Sequence, residues 1–239
     1  MRIAAYQAPL LPGGSMAALE LIGERVRWCE AEGVDLLLCP EGVLGGLADD
    51  VARPSEIAID AGSGDLAKLL RPLSSATVTT ILGFSEASGG ALYNSAVVYG
   101  GDVVGLYRKH HPARRASVYS AGTESPVFTV GDLRFGMMIC NDTNFPDLAT
   151  DMVARGARLL LVPSNNALRS EIADVVELTR AVDVETARRC GVPVIRADVA
   201  GRTESRVAFG TSAIVGAGGD VIRVGTPFAE DLLVADLEV

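Results

Sequence analysis

Histidine is almost missing from this chain. Of 239 residues only His110 and His111 carry an imidazole, and they are adjacent. This removes most metal sites, which draw imidazoles from several elements. It also leaves one loop as the sole source of a base for any Ser-His-Asp or Cys-His pair. The plainer reading has one ring hydrogen-bonded within its loop and the other solvated. Cysteine is scarce as well: Cys29, Cys39, Cys140 and Cys190 are scattered without a C-x-x-C pair. Neither a disulfide framework nor a structural zinc site is indicated, and no metal is expected. Positive charge is in the minority. Lys and Arg number 21 against 30 Asp and Glu, for a net charge of −9, which argues against nucleic acid or an anionic membrane as partner, since both need clustered cations. The small basic cluster from Arg108 to Arg115 reads as local to a site or as a solvated loop. No run of about eighteen apolar residues exists, so no transmembrane helix is expected. Met1 to Gln7 enters a strand directly, without the apolar region of a signal peptide, and the expected location is cytoplasmic.

What is present suits a globule. Apolar residues make up 49% of the chain and charged residues 21%, enough for a sizeable core in one domain spanning 1–239. The opening reads β-α-β: a strand over 2–7, a helix capped by Ser15 with Leu19, Ile22, Val26 and Cys29 on its apolar face, a stop at Gly33, and a strand over 34–39. Residues 42–61 form a long loop facing a substrate. A helix near 63–73 precedes strands at 77–84, 95–99 and 102–107. The second half carries strands at 126–130 and 133–139, a helix from Pro146 to Arg155, a strand at 159–162, a long helix over 171–189 and a strand at 192–196. Its tail from 208 to 236 holds three strands with turns at 216–219 and 225–230. Strands arrive both in βαβ units and as hairpins, which fits an α/β fold of two sheets packed face to face with helices outside.

Three of these apolar strands each end in one reactive group. Val34 to Cys39 leads through Pro40 to Glu41, whose exit direction the proline constrains. Val103 to Arg108 leads to Lys109, and Gly136 to Ile139 stops at Cys140. Any one of these has a bland explanation. A free cysteine is usually a small buried hydrophobe, and a Glu or Lys at a strand end is usually solvated. A carboxylate, an ammonium and a thiol in equivalent places match a nucleophile with its base and electrostatic partner.

These residues resemble the nitrilase superfamily of carbon–nitrogen hydrolases almost from end to end. Pro40-Glu41 is similar to the family's glutamate motif, Tyr107-Arg108-Lys109-His110-His111 to its lysine motif, and Ile139-Cys140-Asn141-Asp142-Thr143-Asn144-Phe145-Pro146-Asp147 to its cysteine motif. Gly83 to Glu86, Tyr93 to Ala96 and Pro163 to Asn165 agree as well. The resemblance implies an α-β-β-α sandwich, paired through helices into a homodimer or higher homo-oligomer. It also implies hydrolysis of a small non-peptide amide, carbamoyl or nitrile compound without a cofactor. In this scheme Lys109 favours the Cys140 thiolate, Glu41 is the general base, and Lys109 with the backbone N–H of Asn141 stabilises the oxyanion.

Two departures stand out. Many relatives carry a second glutamate in the loop after the lysine, and matching Tyr119 and Gly122 puts Ser117 there. That carboxylate is either absent or supplied elsewhere; Glu124 lies past the turn. Asn141 stands where an aromatic residue is commoner, which makes the chain resemble the amidase and N-carbamoyl amidase branches more than true nitrilases. Arg114, Arg115, Asn144 and Asn166 are candidates for contact with a substrate carboxylate or amide. The dense charges of 174–189 read as a solvated helix face, and Cys39 and Cys190 as packing residues. Two alternatives remain open: a nitrilase acting on a small nitrile, and a catalytically silent oligomer that binds a metabolite.

Overall fold

The first strand shows how the chain is layered. Ile3 and Ala5 point to one face of β1 (Arg2–Pro9), Ala4 and Tyr6 to the other, and all four are inaccessible to solvent. A strand buried on both faces needs a layer on each side. The computed structural model describes residues 1–167, 174–204 and 206–238. After β1 come α1 (Ala18–Ala31), β2 (Leu36–Leu38), β3 (Ile59–Asp60), α2 (Asp65–Leu70), β4 (Thr79–Ser88), β5 (Ala91–Tyr99) and β6 (Val103–Arg108). The second half holds β7 (Phe128–Val130), β8 (Leu133–Met137), α3 (Pro146–Ala154), β9 (Leu159–Pro163), α4 (Val175–Cys190) and β10 (Val194–Ala197). It ends with β11 (Val199–Arg202), β12 (Val207–Phe209), β13 (Ala213–Val215), β14 (Val221–Val224) and β15 (Asp231–Asp236).

One sheet runs β12-β11-β1-β2-β4-β5-β6, with β15 also on β1 and β3 on β4; the other runs β14-β13-β10-β9-β8-β7. Ile3, Leu36, Leu38 and Ile81 of the first sheet pack against Phe135, Met137, Leu161 and Ile195 of the second. Outside, Ala4, Tyr6 and Leu37 meet Ile22 and Val26 of α1 and Leu66 and Leu70 of α2. On the far side, Leu160 and Val162 meet Met152 of α3 and Ala187 of α4. This is the α-β-β-α sandwich that the sequence implies. Among the described residues no helix is long and apolar enough to cross a membrane.

Strand direction gathers the reactive groups. β1, β2 and β4 are mutually parallel, as are β8, β9 and β10. β6 is antiparallel to β5, which is antiparallel to β4, so β6 runs the same way as β2. The residues that follow β2 and β6 therefore leave the first sheet at the same end.

Several elements differ from the sequence expectation for identifiable reasons. Ser15 accepts a hydrogen bond from the N–H of Ala17 at 3.3 Å and so shapes the turn before the helix, which starts at Ala18. The helix over 63–73 divides into α2 and a 3₁₀ turn at Arg71–Leu73, where Pro72 supplies no N–H to continue the α ladder. The long loop contains two 3₁₀ turns, Ala48–Asp50 and Pro54–Glu56. Of the helix over 171–189, residues 171–173 lie outside the described residues. The tail holds more strands than periodicity suggests, and β15 pairs with β1 from Arg2↔Asp236 to Gln7↔Asp231, a partner no local pattern reveals.

Close backbone contact brings β4 onto the Glu41 segment. The Gly83 N–H donates to the Pro40 carbonyl at 3.0 Å, and a Cβ on Gly83 would lie 2.4 Å from the Gly42 nitrogen and 2.7 Å from the Glu41 Cα. Gly83→Ala is expected to cost about 1–3 kcal/mol by overpacking and to lower Tm by about 2–4 °C per kcal/mol. Gly23, inside α1, has only ordinary contacts at 3.6 Å and beyond for a Cβ. Gly23→Ala is expected to stabilise by about 0.5–1 kcal/mol through helix propensity. Calorimetric melting of both variants checks the pair, and an unchanged Tm in Gly83→Ala would contradict the close packing.

Candidate active site

Each sheet contributes to one cavity. Glu41 follows β2 after Cys39 and Pro40, and its backbone bridges the two sheets: its N–H donates to the Ser164 carbonyl at 3.2 Å, and its carbonyl accepts from Asn165 Nδ2 at 3.4 Å. Lys109 follows β6, its N–H donating to the Asn94 carbonyl at 2.8 Å. The two side chains are 2% and 3% exposed and meet as an ion pair, Lys109 Nζ donating to Glu41 Oε1 at 2.6 Å. Asn94 Nδ2 donates to the same oxygen at 2.7 Å. Burial by itself lowers the Lys109 pKa, but attraction to Glu41 outweighs it and holds the ammonium above the ordinary lysine range.

Cys140 opens the 3₁₀ turn Cys140–Asn144 with φ at +45°. That left-handed region is costly for a residue with a Cβ, of order 1–3 kcal/mol, and such strain persists only where the surroundings enforce it. Here Asp142 enforces it. Its fully buried carboxylate accepts from the Ile139 N–H at 3.0 Å, from Tyr107 Oη at 2.8 Å and from the His111 N–H at 2.8 Å, and His111 Nδ1 lies 3.1 Å away. One buried carboxylate thus ties the end of β6 and the loop beyond it to the turn that carries the thiol.

Glu41, Lys109 and Cys140 line a single cavity of about 270 Å³, with Asp49, Asn94 and Asn166 in its wall. The lysine's pull toward the thiolate is opposed by other influences on the sulfur. Burial pushes its pKa up, Glu41 adds to the rise, and Lys109 and Arg196 only partly offset it, leaving it at about 12. Desolvation is the first cause; Glu41 then offsets the charge that Lys109 presents to sulfur.

Asn166 meets the thiol, with Cys140 Sγ 3.5 Å from its Oδ1. The amide is oriented by donation from Nδ2 to Thr211 Oγ1 at 2.9 Å and to Asp198 Oδ2 at 3.3 Å, and the Asn166 N–H donates to Asp198 Oδ1 at 2.9 Å. Its oxygen therefore faces sulfur. On the other side of Cys140, buried Arg196 pairs with Asp183, Nε to Oδ2 at 2.7 Å, and reaches Thr143 Oγ1 at 3.4 Å.

The remaining sequence candidates divide. Asn141 turns its side chain to the His111 carbonyl at 3.1 Å. Asn144 donates to Asn141 Oδ1 at 3.0 Å and lines a separate cavity of about 280 Å³ beside Cys140, away from Glu41 and Lys109. Arg114 reaches the catalytic-side cavity, but its guanidinium donates to the Asp49 carbonyl at 2.7 Å and pairs with Asp50. Both imidazoles serve packing. The His111 ring stacks on Phe145 with centroids 3.5 Å apart, and His110 stacks on Tyr107 with Nε2 3.0 Å from the Glu124 carbonyl. Glu124 lines a different pocket with Arg108 and Tyr93. Sequence reasoning missed Asn94, Asp49, Asp198 and the Arg196–Asp183 pair. Asn94 lies within the Tyr93 to Ala96 segment already singled out; the others leave no local signal. Among the described residues no group of three or more His, Cys, Asp or Glu side chains is arranged to hold a metal ion.

Comparison with known proteins gives the chain's family and the likeness of its fold. The family profile described as carbon–nitrogen hydrolase matches residues 2–239. A Pseudomonas protegens protein described as a hydrolase in the pqqF 5′ region is 32% identical over 206 residues, which are 80% of this chain and 70% of that one. An (R)-stereoselective amidase of a Pseudomonas species is 30% identical over 135 residues, 55% of this chain and 48% of its own length. Among solved structures, the amidase of Nesterenkonia AN1 superposes with a TM-score of 0.82 at 24% identity, over 99% of this chain and 90% of its own, a likeness of fold. With a profile match running from the second residue to the last, across all three strand ends that meet at the cavity, the chain belongs to the carbon–nitrogen hydrolases of the nitrilase superfamily.

Proposed function

We propose that the chain is an amidase that cleaves a small primary amide or N-carbamoyl compound through a thioester on Cys140. One observation carries this reading: a thiol and a buried Glu–Lys ion pair open onto the same cavity of about 270 Å³. That volume is below the ~300–1,000 Å³ of sites for drug-sized ligands and suits a small substrate. An amidase and a probable nitrilase both match by sequence; Asn141, smaller and more polar than the commoner aromatic, favours the amide.

Because the thiol rests protonated, nucleophile and base act together. As sulfur attacks the carbonyl carbon, the S–H proton passes to Glu41. Oε1 already holds Lys109 and Asn94, which leaves Oε2 as the acceptor. The carbonyl electrons move to oxygen, where the Lys109 ammonium and the Asn141 N–H stabilise the negative charge. Collapse breaks the C–N bond, and Glu41 returns its proton to the nitrogen, which departs as ammonia or an amine. Water then adds to the thioester and gives a proton to Glu41. The C–S bond breaks, and the proton returns to sulfur. Asn166 and Asp142 are positioning residues in this scheme.

Ammonia release from propionamide and butyramide measures the activity. Cys140→Ala and Glu41→Gln are expected to abolish it, and Lys109→Met to reduce kcat by about a hundredfold to a thousandfold; turnover surviving in Cys140→Ala would sink the thioester mechanism. A second measurement addresses the proton. With the thiol pKa at about 12, the thiolate is a minor species below that pH and its fraction grows about tenfold per pH unit. Alkylation of Cys140 by iodoacetamide, mapped by mass, is expected to quicken steadily from pH 6 to 10. A plateau reached by pH 7 would instead reveal a thiolate maintained by Lys109.

A further inference from the structure

Two loops meet over the cavity, and between them they present a carboxylate beyond the Glu41–Lys109 pair. Asp49 sits in the 3₁₀ turn Ala48–Asp50 and lines the cavity that also holds Glu41, Lys109 and Cys140. Its oxygens are gripped from the facing loop, one donor each: Ser117 Oγ donates to Oδ2 at 2.9 Å and the Val118 N–H to Oδ1 at 2.8 Å. The turn is anchored on both sides. The Ala48 N–H donates to Tyr119 Oη at 2.6 Å and to Ser85 Oγ at 3.2 Å, Arg114 holds the Asp49 carbonyl at 2.7 Å, and Asp50 takes Arg114 and Arg206. A carboxylate oxygen has about two acceptor sites, so the clasp leaves each Asp49 oxygen able to accept another N–H. Ser117, which denies its own loop an acid, holds an acid that arrives from the other loop.

Resting on the amidase reading above, we propose that Asp49 is a specificity-determining residue that accepts N–H donors from the substrate. It selects small amides bearing an ammonium or further N–H groups and disfavours those bearing a carboxylate. Arg114 and Arg206 line the same cavity and share one Asp50 oxygen, so the preference rests on the acceptor sites of Asp49 and not on the net charge of the wall.

The test separates binding from turnover. Affinities of glycinamide, propionamide and succinamic acid are measured by calorimetry on Cys140→Ala protein, which holds them without thioester formation, and kcat and KM are measured in the Cys140 background. Glycinamide is expected to bind more tightly than succinamic acid, and Asp49→Asn to weaken glycinamide by about tenfold or more, as loss of a hydrogen bond to a charged group does. Ser117→Ala, which loosens the clasp without removing the charge, should weaken it by a smaller factor, and Asp49→Asn should act on KM more than on kcat. Because Ser117 Oγ lies 2.9 Å from the Asp49 carboxylate, Asp49→Ser combined with Ser117→Glu returns an acid to the same place and should restore the preference. A glycinamide-to-succinamic-acid ratio unmoved by Asp49→Asn overturns the proposal, and so does failure of all three compounds to bind. A binding preference that Asp49→Asn erases, without hydrolysis of any of the three, supports the subsite while counting against the amidase reading alone.

Discussion

The architecture of this protein's site depends on burying one ion pair. Taking a carboxylate and an ammonium out of water costs several kcal/mol each, and their attraction repays this only with close geometry and further hydrogen bonds. The Lys109–Glu41 contact at 2.6 Å, joined by Asn94 at 2.7 Å, meets both requirements. The geometry is demanding because the partners come from strands separated by β4 and β5 in the sheet. Close backbone contact at Gly83, the Lys109 N–H on the Asn94 carbonyl and the bridge from Glu41 to Ser164 all fix the spacing of those two strand ends.

The pair also bears on the Cys140 thiol. A lone ammonium beside a thiol stabilises thiolate; an ammonium already paired in a buried site offers sulfur little net charge, and desolvation prevails. Cys140 therefore rests as a thiol directed at Asn166, on a backbone that Asp142 holds in the left-handed region.

Much of this was legible in the sequence because apolar runs ending in Glu41, Lys109 and Cys140 carry their own boundaries. Strand direction then brings the three together, so reading strand ends amounted to reading the cavity floor. What escaped were groups whose meaning is relational. Asp198 and the Arg196–Asp183 pair are buried charges whose partners lie elsewhere in the chain, and nothing in their flanking residues announces burial. Arg114 looked available as a cation and proved engaged with the loop carrying Asp49 and Asp50. Ser117 brings no acid to its loop, and its hydroxyl meets Asp49, some seventy positions earlier in the chain.

The pairing of β1 with β15 sets a schedule for biosynthesis. β1 leaves the ribosome long before β15, beside which it lies in the finished sheet, and the Met1 nitrogen donates to the Leu237 carbonyl at 3.0 Å across a separation of 236 residues. At ~5–20 residues per second, roughly ten to fifty seconds pass between the two strands emerging. Throughout that interval one edge of β1 lacks its antiparallel neighbour, as an open template for other chains. Contacts so distant in sequence form slowly, which makes the nascent chain a client for chaperones well before it has a cavity to fill.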